Sequence, residues 1–140
     1  MRIGIPDQAP DGISPDVTAF LKAPRMLING QSVGGEGGSF DVFNPADGSV
    51  LAQVPSGSEV DVDRAVLAAK AAMAGAWGGM SGAERTRLML KLADLIEENG
   101  EELAQLETLE NGKSIMLSRL VEVASSAEYL RYMAGWATKI

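Results

Sequence analysis

The apolar residues of this chain change their spacing once, and that change most constrains the fold. Before Pro55 they form short runs separated by turn residues, whereas after Ser58 they recur every three or four positions, as on one face of a helix. A chain of 140 residues is long enough for one domain with a sizeable core. We therefore predict an α+β arrangement, with strands in the first third and helices in the rest.

Two hairpins are predicted in the first third. Residues 26–28 and 31–33 flank Asn29-Gly30, a dipeptide that favours a tight hairpin turn. Residues 40–44 and 50–54 form a second pair of apolar runs, joined by a segment that contains proline and glycine. Any division of the chain should fall where these strands end, at residues 55–58.

Residues 1–25 are predicted to be an N-terminal arm that contains a short helix. Ser14 can cap the helix, Pro15 suits its first turn, and Asp16 places a negative charge near the positive end of the helix dipole. The helix should end before Pro24. We expect its apolar face to carry Val17, Phe20 and Leu21.

Four helices are predicted after Ser58. They span about residues 59–74, then a segment that begins at the capping sequence Ser81–Glu84, then 101–110 after the break at Asn99-Gly100, and finally 114–139. The residues expected to face inward are Val62, Ala65, Val66, Ala69 and Met73; Leu88, Leu92, Leu95 and Ile96; Leu103, Leu106 and Leu109; and Leu117, Leu120, Val121, Ala124, Ala127 and Leu130.

The residue content excludes several kinds of site and partner. The chain has no cysteine, so it forms no disulfide or thiolate zinc site, and it has no histidine to activate a serine hydrolase nucleophile. A serine–lysine pair stays open for the serines at 114, 118, 125 and 126. The net charge of −7 argues against nucleic acid as a partner.

We expect the protein to be cytoplasmic. The N-terminal residues include Asp7 and Asp11 and lack an apolar core, so they do not form a secretory signal. No stretch approaches the roughly 20 apolar residues that a membrane-spanning helix needs, so we expect no membrane partner.

Three further groups of residues are given structural interpretations. The loop Gly34–Gly38 lacks the spacing of a phosphate-binding loop, and we predict a flexible turn. The aromatic residues Trp77, Tyr129, Tyr132 and Trp136 lack interleaved basic residues, which favours packing over base stacking. An acidic run is interpreted as a solvated helix face with ordinary pKa values, rather than a cation-binding surface. It comprises Asp94, Glu97, Glu98, Glu101, Glu102, Glu107 and Glu110.

One segment combines a helix with a specific stop signal. In Leu106-Glu107-Thr108-Leu109-Glu110-Asn111-Gly112-Lys113, Asn111 and Gly112 can adopt the left-handed conformation that ends helices. This segment resembles one in the N-terminal third of the NAD(P)-dependent aldehyde dehydrogenase superfamily. Other pieces resemble the same family in the same order, over about residues 26–140. They are Leu27-Ile28-Asn29-Gly30, Asn44-Pro45-Ala46-Asp47-Gly48, Asp61-Val62-Asp63-Arg64-Ala65-Val66, Leu92-Ala93-Asp94-Leu95-Ile96-Glu97 and Leu130-Arg131-Tyr132-Met133-Ala134-Gly135-Trp136-Ala137.

The resemblance implies an incomplete α/β nucleotide-binding domain at residues 26–140, with β hairpins at 26–57 and helices at 58–140. In that family a cysteine thiolate attacks the aldehyde, and the cysteine, the general base and the nucleotide-binding residues would all lie beyond residue 140. The complete protein would use NAD or NADP, form a homo-oligomer, and oxidise an aldehyde to a carboxylic acid. This chain would be its N-terminal scaffold segment, with the remainder of the dehydrogenase chain as its partner. We expect no cofactor and no activity for the chain alone. The alternative is a non-catalytic, degenerate binding or assembly module.

The resemblance also implies two sites. In some family members a monovalent cation is held by backbone carbonyls and an acidic side chain, at positions that correspond to Val42, Phe43 and Glu110. Val121, Glu122 and Ser125 correspond to positions at the mouth of the aldehyde tunnel. The last ten residues are most similar to arylacetaldehyde dehydrogenases.

Overall fold

The computed structural model describes residues 12–139, and the chain divides into two compact units, Met1–Gly79 and Met80–Ile140. The prediction that the chain divides at residues 55–58 was wrong, since strands give way to helices there but the two units divide between Gly79 and Met80. The described part of the first unit contains α1 (Pro15–Lys22), β1 (Met26–Ile28), β2 (Gln31–Val33), β3 (Ser39–Phe43), β4 (Val50–Pro55), α2 (Glu59–Ala74) and α3 (Ala76–Gly79). The second contains α4 (Gly82–Glu98), α5 (Gly100–Asn111), α6 (Ile115–Leu117), a π-helical turn (Ser118–Val123) and α7 (Ala124–Ala134).

Both predicted hairpins are present, as two separate antiparallel pairs. β1 pairs with β2 around a turn in which Asn29 and Gly30 have φ angles of 54° and 72°. These left-handed values are the reason that the turn requires this dipeptide. β3 pairs with β4, and the register shifts between Val42 and Phe43.

The short helix α1 also begins as predicted, because the hydroxyl of Ser14 accepts a hydrogen bond from the Asp16 N–H. The prediction of its apolar face is only partly correct. Val17 is buried, but Phe20 is 53% exposed, because α1 has only two turns and contacts β4 with one side. Residues 1–11 of the predicted arm lie outside the described residues.

Helix α2 has the predicted bounds, but its predicted apolar face is not buried. Val62, Val66 and Met73 are 59%, 46% and 61% exposed. Within the described part of the first unit, no layer covers this face, and the buried residue of the helix is Asp61.

The second unit is built on close contact between α4 and α7. Ala93 of α4 and Ala127 and Ala134 of α7 are completely buried, and the hydroxyl of Thr86 donates to the carbonyl of Ala134 at 2.8 Å. The prediction for α4 was wrong, since the leucines at 88, 92 and 95 are 45%, 48% and 41% exposed. Alanine faces allow two helices to approach closely, and the leucines are left on the neighbouring face.

The predicted helix over residues 114–139 is interrupted by the π-helical turn, and α7 ends at Ala134. The residues expected to be buried at 117, 120 and 121 are 53%, 68% and 47% exposed, whereas Ser118 is buried. A π turn holds more residues than an α turn, so a period of 3.6 assigns the wrong face around it. In α5 the buried residues are Ala104 and Gln105, and Leu103 is 38% exposed.

The predicted stop after α5 is present, and it uses the glycine of the Asn-Gly pair. Gly112 has a φ of 80° and its N–H donates to the carbonyl of Thr108. Across residues 12–139, none of the helices combines the length and apolar character needed to cross a membrane.

Candidate functional site

The loop Gly34–Gly38 is tied to its surroundings by backbone hydrogen bonds. The N–H of Gly37 donates to the carbonyl of Ser56 at 3.1 Å, and the Ser56 N–H donates to the carbonyl of Gly38 at 2.9 Å. A Cβ atom at Gly35 would overlap the Ser56 carbonyl oxygen, so this glycine is needed for close approach to Ser56. The loop is therefore hydrogen-bonded to Ser56, directly after β4, and these contacts do not support the flexible turn that we predicted.

Hydrogen bonds to the carboxylate of Asp61 connect the same loop to the start of α2. Its side chain is 2% exposed, and Oδ2 accepts hydrogen bonds from the N–H of Glu36, the N–H of Ser58 and the Ser58 hydroxyl, each at 2.9 Å. The Ser58 N–H, followed by the Glu36 N–H, lowers the pKa of Asp61 below its ordinary value of 3.8. Oδ1 has no hydrogen-bond partner, and Arg64 Nη1 lies 3.5 Å from it. These contacts give Asp61 a structural role in the loop.

The described residues do not fit the pyrophosphate of a dinucleotide. Such a group binds free N–H groups at a helix N-terminus or in a glycine-rich loop. Here the N–H groups of Glu36 and Gly37 are already bonded within the chain. The first turns of the long helices carry carboxylates, at Asp61 in α2, Glu84 in α4, and Glu101 in α5, and these repel a phosphate.

The acidic run is a largely exposed face, as predicted. Four of its seven carboxylates pair with arginine or lysine, and two of these four have lowered pKa values that we did not predict. Arg131 of α7 lies 2.9 Å from Asp94, 2.6 Å from Glu97 and 3.2 Å from Glu128. Hydrogen bonding to Arg131 lowers the pKa of Glu97, and the same contacts raise the pKa of Arg131. The pairs with Asp94 and Glu97 connect α4 to α7.

A second ion pair connects α5 to the π-helical turn. Arg119 donates from Nε and Nη2 to the two carboxylate oxygens of Glu101 at 2.7 and 2.6 Å. This forked contact, together with a hydrogen bond from Gln105, lowers the pKa of Glu101 to about 2. Glu101 therefore stays ionised well below the ordinary pKa of a glutamate.

Lys113 lies between two carboxylates on different elements. Its Nζ is 2.8 Å from Glu107 in α5 and 2.9 Å from Glu122 in the π-helical turn. The hydrogen bonds that Lys113 donates to Glu107 and, second, to Glu122 raise the pKa of Lys113. Close by, the hydroxyls of Thr108 and Ser118 are 2.9 Å apart.

The aromatic side chains are more exposed than we predicted. Tyr129, Tyr132 and Trp136 are 62%, 65% and 42% exposed, and Trp77 is 39% exposed. These side chains are only partly packed within the described residues, and the choice of packing over base stacking stays a prediction. Lys139 Nζ lies 5.5 Å from the centre of the Trp136 ring, a cation–π distance.

The predicted tunnel residues lie together near the start of the last helical segment. Val121 and Glu122 are in the π-helical turn, and Ser125 is exposed in the first turn of α7. Ser118, one of the four serines considered, bonds to the Thr108 hydroxyl and to the carbonyl of Ser114, and neither group is a base.

The predicted cation ligands lie in different units, with Val42 and Phe43 in the first and Glu110 in the second. Val42 is half-buried in β3, and Phe43 follows it at 56% exposure. Glu110 is exposed in the last turn of α5. Residues 12–139 contain no group of three acidic side chains that could bind a metal. A site of backbone carbonyls and one carboxylate does not need such a group.

Sequence reasoning missed the roles of Asp61 and Lys113. A signal for the first was present, because Ser58 and Asp61 have the spacing of a capping box. The role of Lys113 depends on a contact across nine residues with Glu122, which no local pattern indicates.

The sequence model described as the aldehyde dehydrogenase family matches residues 33–140. The chain belongs to the aldehyde dehydrogenase family. It is 49% identical over 123 residues to a phenylacetaldehyde dehydrogenase of Pseudomonas fluorescens, covering 86% of this chain and 24% of that protein. It is 45% identical over 134 residues to a human mitochondrial 10-formyltetrahydrofolate dehydrogenase, covering 93% of this chain and 14% of that protein.

The fold is also that of aldehyde dehydrogenases. An NAD⁺ complex of the aldehyde dehydrogenase from Bacillus cereus superposes with a TM-score of 0.88 at 47% identity, covering 91% of this chain and 27% of that one. The chain therefore spans about a quarter or less of the length of these relatives. These matches confirm the predicted family and fold class, and they do not favour a degenerate module.

Proposed function

We propose that this chain is the N-terminal scaffold segment of an NAD-dependent aldehyde dehydrogenase that oxidises an aldehyde to a carboxylic acid. The observation that carries the proposal is the family match over residues 33–140. The superposition on an NAD⁺ complex supports NAD as the cofactor. When bound to the complete protein, NAD would supply the hydride acceptor.

The segment has a structural role and supplies none of the groups that react. Its described residues do not fit the nucleotide, and its sequence lacks the cysteine that thiolate chemistry requires. We propose that residues 26–140 pack on the remainder of the dehydrogenase chain, which covers the exposed face of α2. The complete protein would be a cytoplasmic homo-oligomer.

The test of this function uses the protein from the complete reading frame. We expect it to reduce NAD in the presence of phenylacetaldehyde. This activity should be lost when the cysteine that attacks the aldehyde, which we expect beyond residue 140, is replaced by alanine. A reading frame that ends at Ile140 would contradict the proposal and support an independent module.

The proposed substrate class is aryl-substituted aldehydes, which enter past Val121 and Ser125. The similarity to a phenylacetaldehyde dehydrogenase supports this class. Serine at position 125 leaves room beside the helix, because its side chain is small.

Replacing Ser125 by Phe in the complete enzyme should narrow this opening. We expect kcat/KM for phenylacetaldehyde to fall roughly tenfold or more, and for acetaldehyde to change much less, because only the larger substrate needs the space. Steady-state kinetics with both aldehydes measure these changes in kcat/KM. The matched control is Ala124→Phe, since Ala124 is adjacent and exposed, makes no side-chain hydrogen bond, and lies about 100° away around the helix. Equal effects of the two variants would remove the tunnel assignment.

The proposed cation site uses the carbonyl of Val42 and the carboxylate of Glu110. Potassium and other hard cations prefer oxygen ligands, and ionised Glu110 would add a charge that backbone carbonyls lack. We expect potassium to raise the thermal stability of the complete enzyme, and Glu110→Gln to weaken or abolish this rise. Glu98→Gln is the control, since Glu98 is also exposed near the end of a helix. An unchanged potassium response in Glu110→Gln would rule out this ligand.

A further inference from the structure

The apolar side chains of the π-helical turn are only partly buried within the described residues. Leu120 and Val121 are 68% and 47% exposed, Val123 is half-buried, and Ser118 is the buried residue of the turn. Single π turns are rare and occur frequently at functional sites. The polar contacts of this turn therefore contribute to its conformation.

Those contacts come from α5 and the loop that follows it. At the start of the turn, Ser118 shares a hydrogen bond with Thr108, and Arg119 forms the forked pair with Glu101. Near its end, Glu122 binds Lys113 at 2.9 Å.

Lys113 is suited to set the position of the turn. Its side chain is only 24% exposed, and the two carboxylates that it contacts are 38% and 48% exposed. An ammonium group that has lost much of its water depends on these two partners, and a partly buried contact is less screened than one in solvent. The left-handed Gly112 directly before it ends α5 and directs the chain towards the turn.

We infer that Lys113 is a positioning residue that fixes the π-helical turn so that Val121 lines the substrate opening. The inference rests on the proposed function, because the opening itself is part of that proposal. Glu122 directly follows Val121, so a shift of Glu122 away from Lys113 moves the Val121 side chain as well. Lys113 thereby favours entry of aryl aldehydes without touching the substrate.

The test is the variant Lys113→Met in the complete enzyme, which keeps most of the side-chain length and removes the charge. We expect KM for phenylacetaldehyde to rise roughly two- to tenfold, with kcat for that substrate and both constants for acetaldehyde nearly unchanged. Lys113→Arg should restore most of the wild-type KM, since it can still pair with both carboxylates. The control Lys91→Met removes an exposed lysine of the same unit and should leave all constants unchanged.

If Lys113→Met does not fold, Lys113→Gln removes the same charge, keeps a polar side chain and should produce the same shift in KM. Equal changes for the two aldehydes, or no change, would overturn the role of Lys113. Different results would contradict the tunnel assignment and the role of Lys113. If Ser125→Phe alters the preference between the aldehydes and Lys113→Met does not, only the role of Lys113 is lost. If neither variant alters the preference, the tunnel assignment is lost as well.

Discussion

Purified alone, the 140-residue chain should reduce neither NAD nor NADP in the presence of any aldehyde. Oxidation through a thiohemiacetal needs a thiolate, and the sequence has no cysteine. A lysine could form a Schiff base, but that would not by itself deliver hydride to a nicotinamide. The loop N–H groups at Glu36 and Gly37 are not free to bind a pyrophosphate, because they already donate to Asp61 and Ser56.

The measurement follows the absorbance of the reduced cofactor with a panel of aliphatic and aromatic aldehydes, and titrates each nucleotide by calorimetry. The complete enzyme under the same conditions is the positive control. Turnover above the blank, or micromolar affinity for either nucleotide, would show that the chain is an independent enzyme and that its scaffold role is wrong.

Replacing Asp61 by Ala should release the loop Gly34–Gly38 from α2. The change removes three hydrogen bonds at once and leaves the N–H groups of Glu36 and Ser58 without their acceptor. Hydrogen exchange at the Glu36 amide should become faster by roughly one to two orders of magnitude. Mass spectrometry of peptides that span the loop in the complete protein would measure it. Asp61→Asn should have a smaller effect, because the amide oxygen can still accept.

The control is Asp63→Ala, which removes an exposed carboxylate from the same helix and should leave the exchange of Glu36 unchanged.

The contribution of Asp61 to stability should decrease at low pH. Because the pKa of Asp61 is lowered by folding, its contribution to stability is complete above its ordinary pKa of 3.8 and is lost as the pH falls through the lower folded value. Unchanged protection of Glu36 in Asp61→Ala would contradict the role of this carboxylate.

The sequence predicted where elements begin and end better than which faces they bury. The bounds of α2 and the turn at Asn29-Gly30 depend on local signals, namely caps and left-handed residues, and both were predicted correctly. The buried face depends on what packs against a helix. In α4 the choice between Ala93 and the neighbouring leucines is made by α7, about 35 residues away along the chain, and apolar spacing alone points to the larger side chains.

The same limit applies to the candidate sites. The segment that ends at Lys113 identified the family correctly, because a run of specific residues carries that information. The ion pairs could not be predicted, since Arg119 reaches Glu101 over 18 residues and Arg131 reaches Glu97 over 34. Many acidic residues were available as partners, and only the fold selects among them.

The exposed face of α2 has a consequence for how such a protein is synthesised. In a dehydrogenase of which this segment is about a quarter, translation of the rest at roughly 5–20 residues per second takes on the order of tens of seconds. The hairpins and helices contain mostly local contacts and can form on the nascent chain early. Val62, Val66 and Met73 would remain in water until the later sequence emerges, so this helix would be a binding site for ribosome-associated chaperones during that interval.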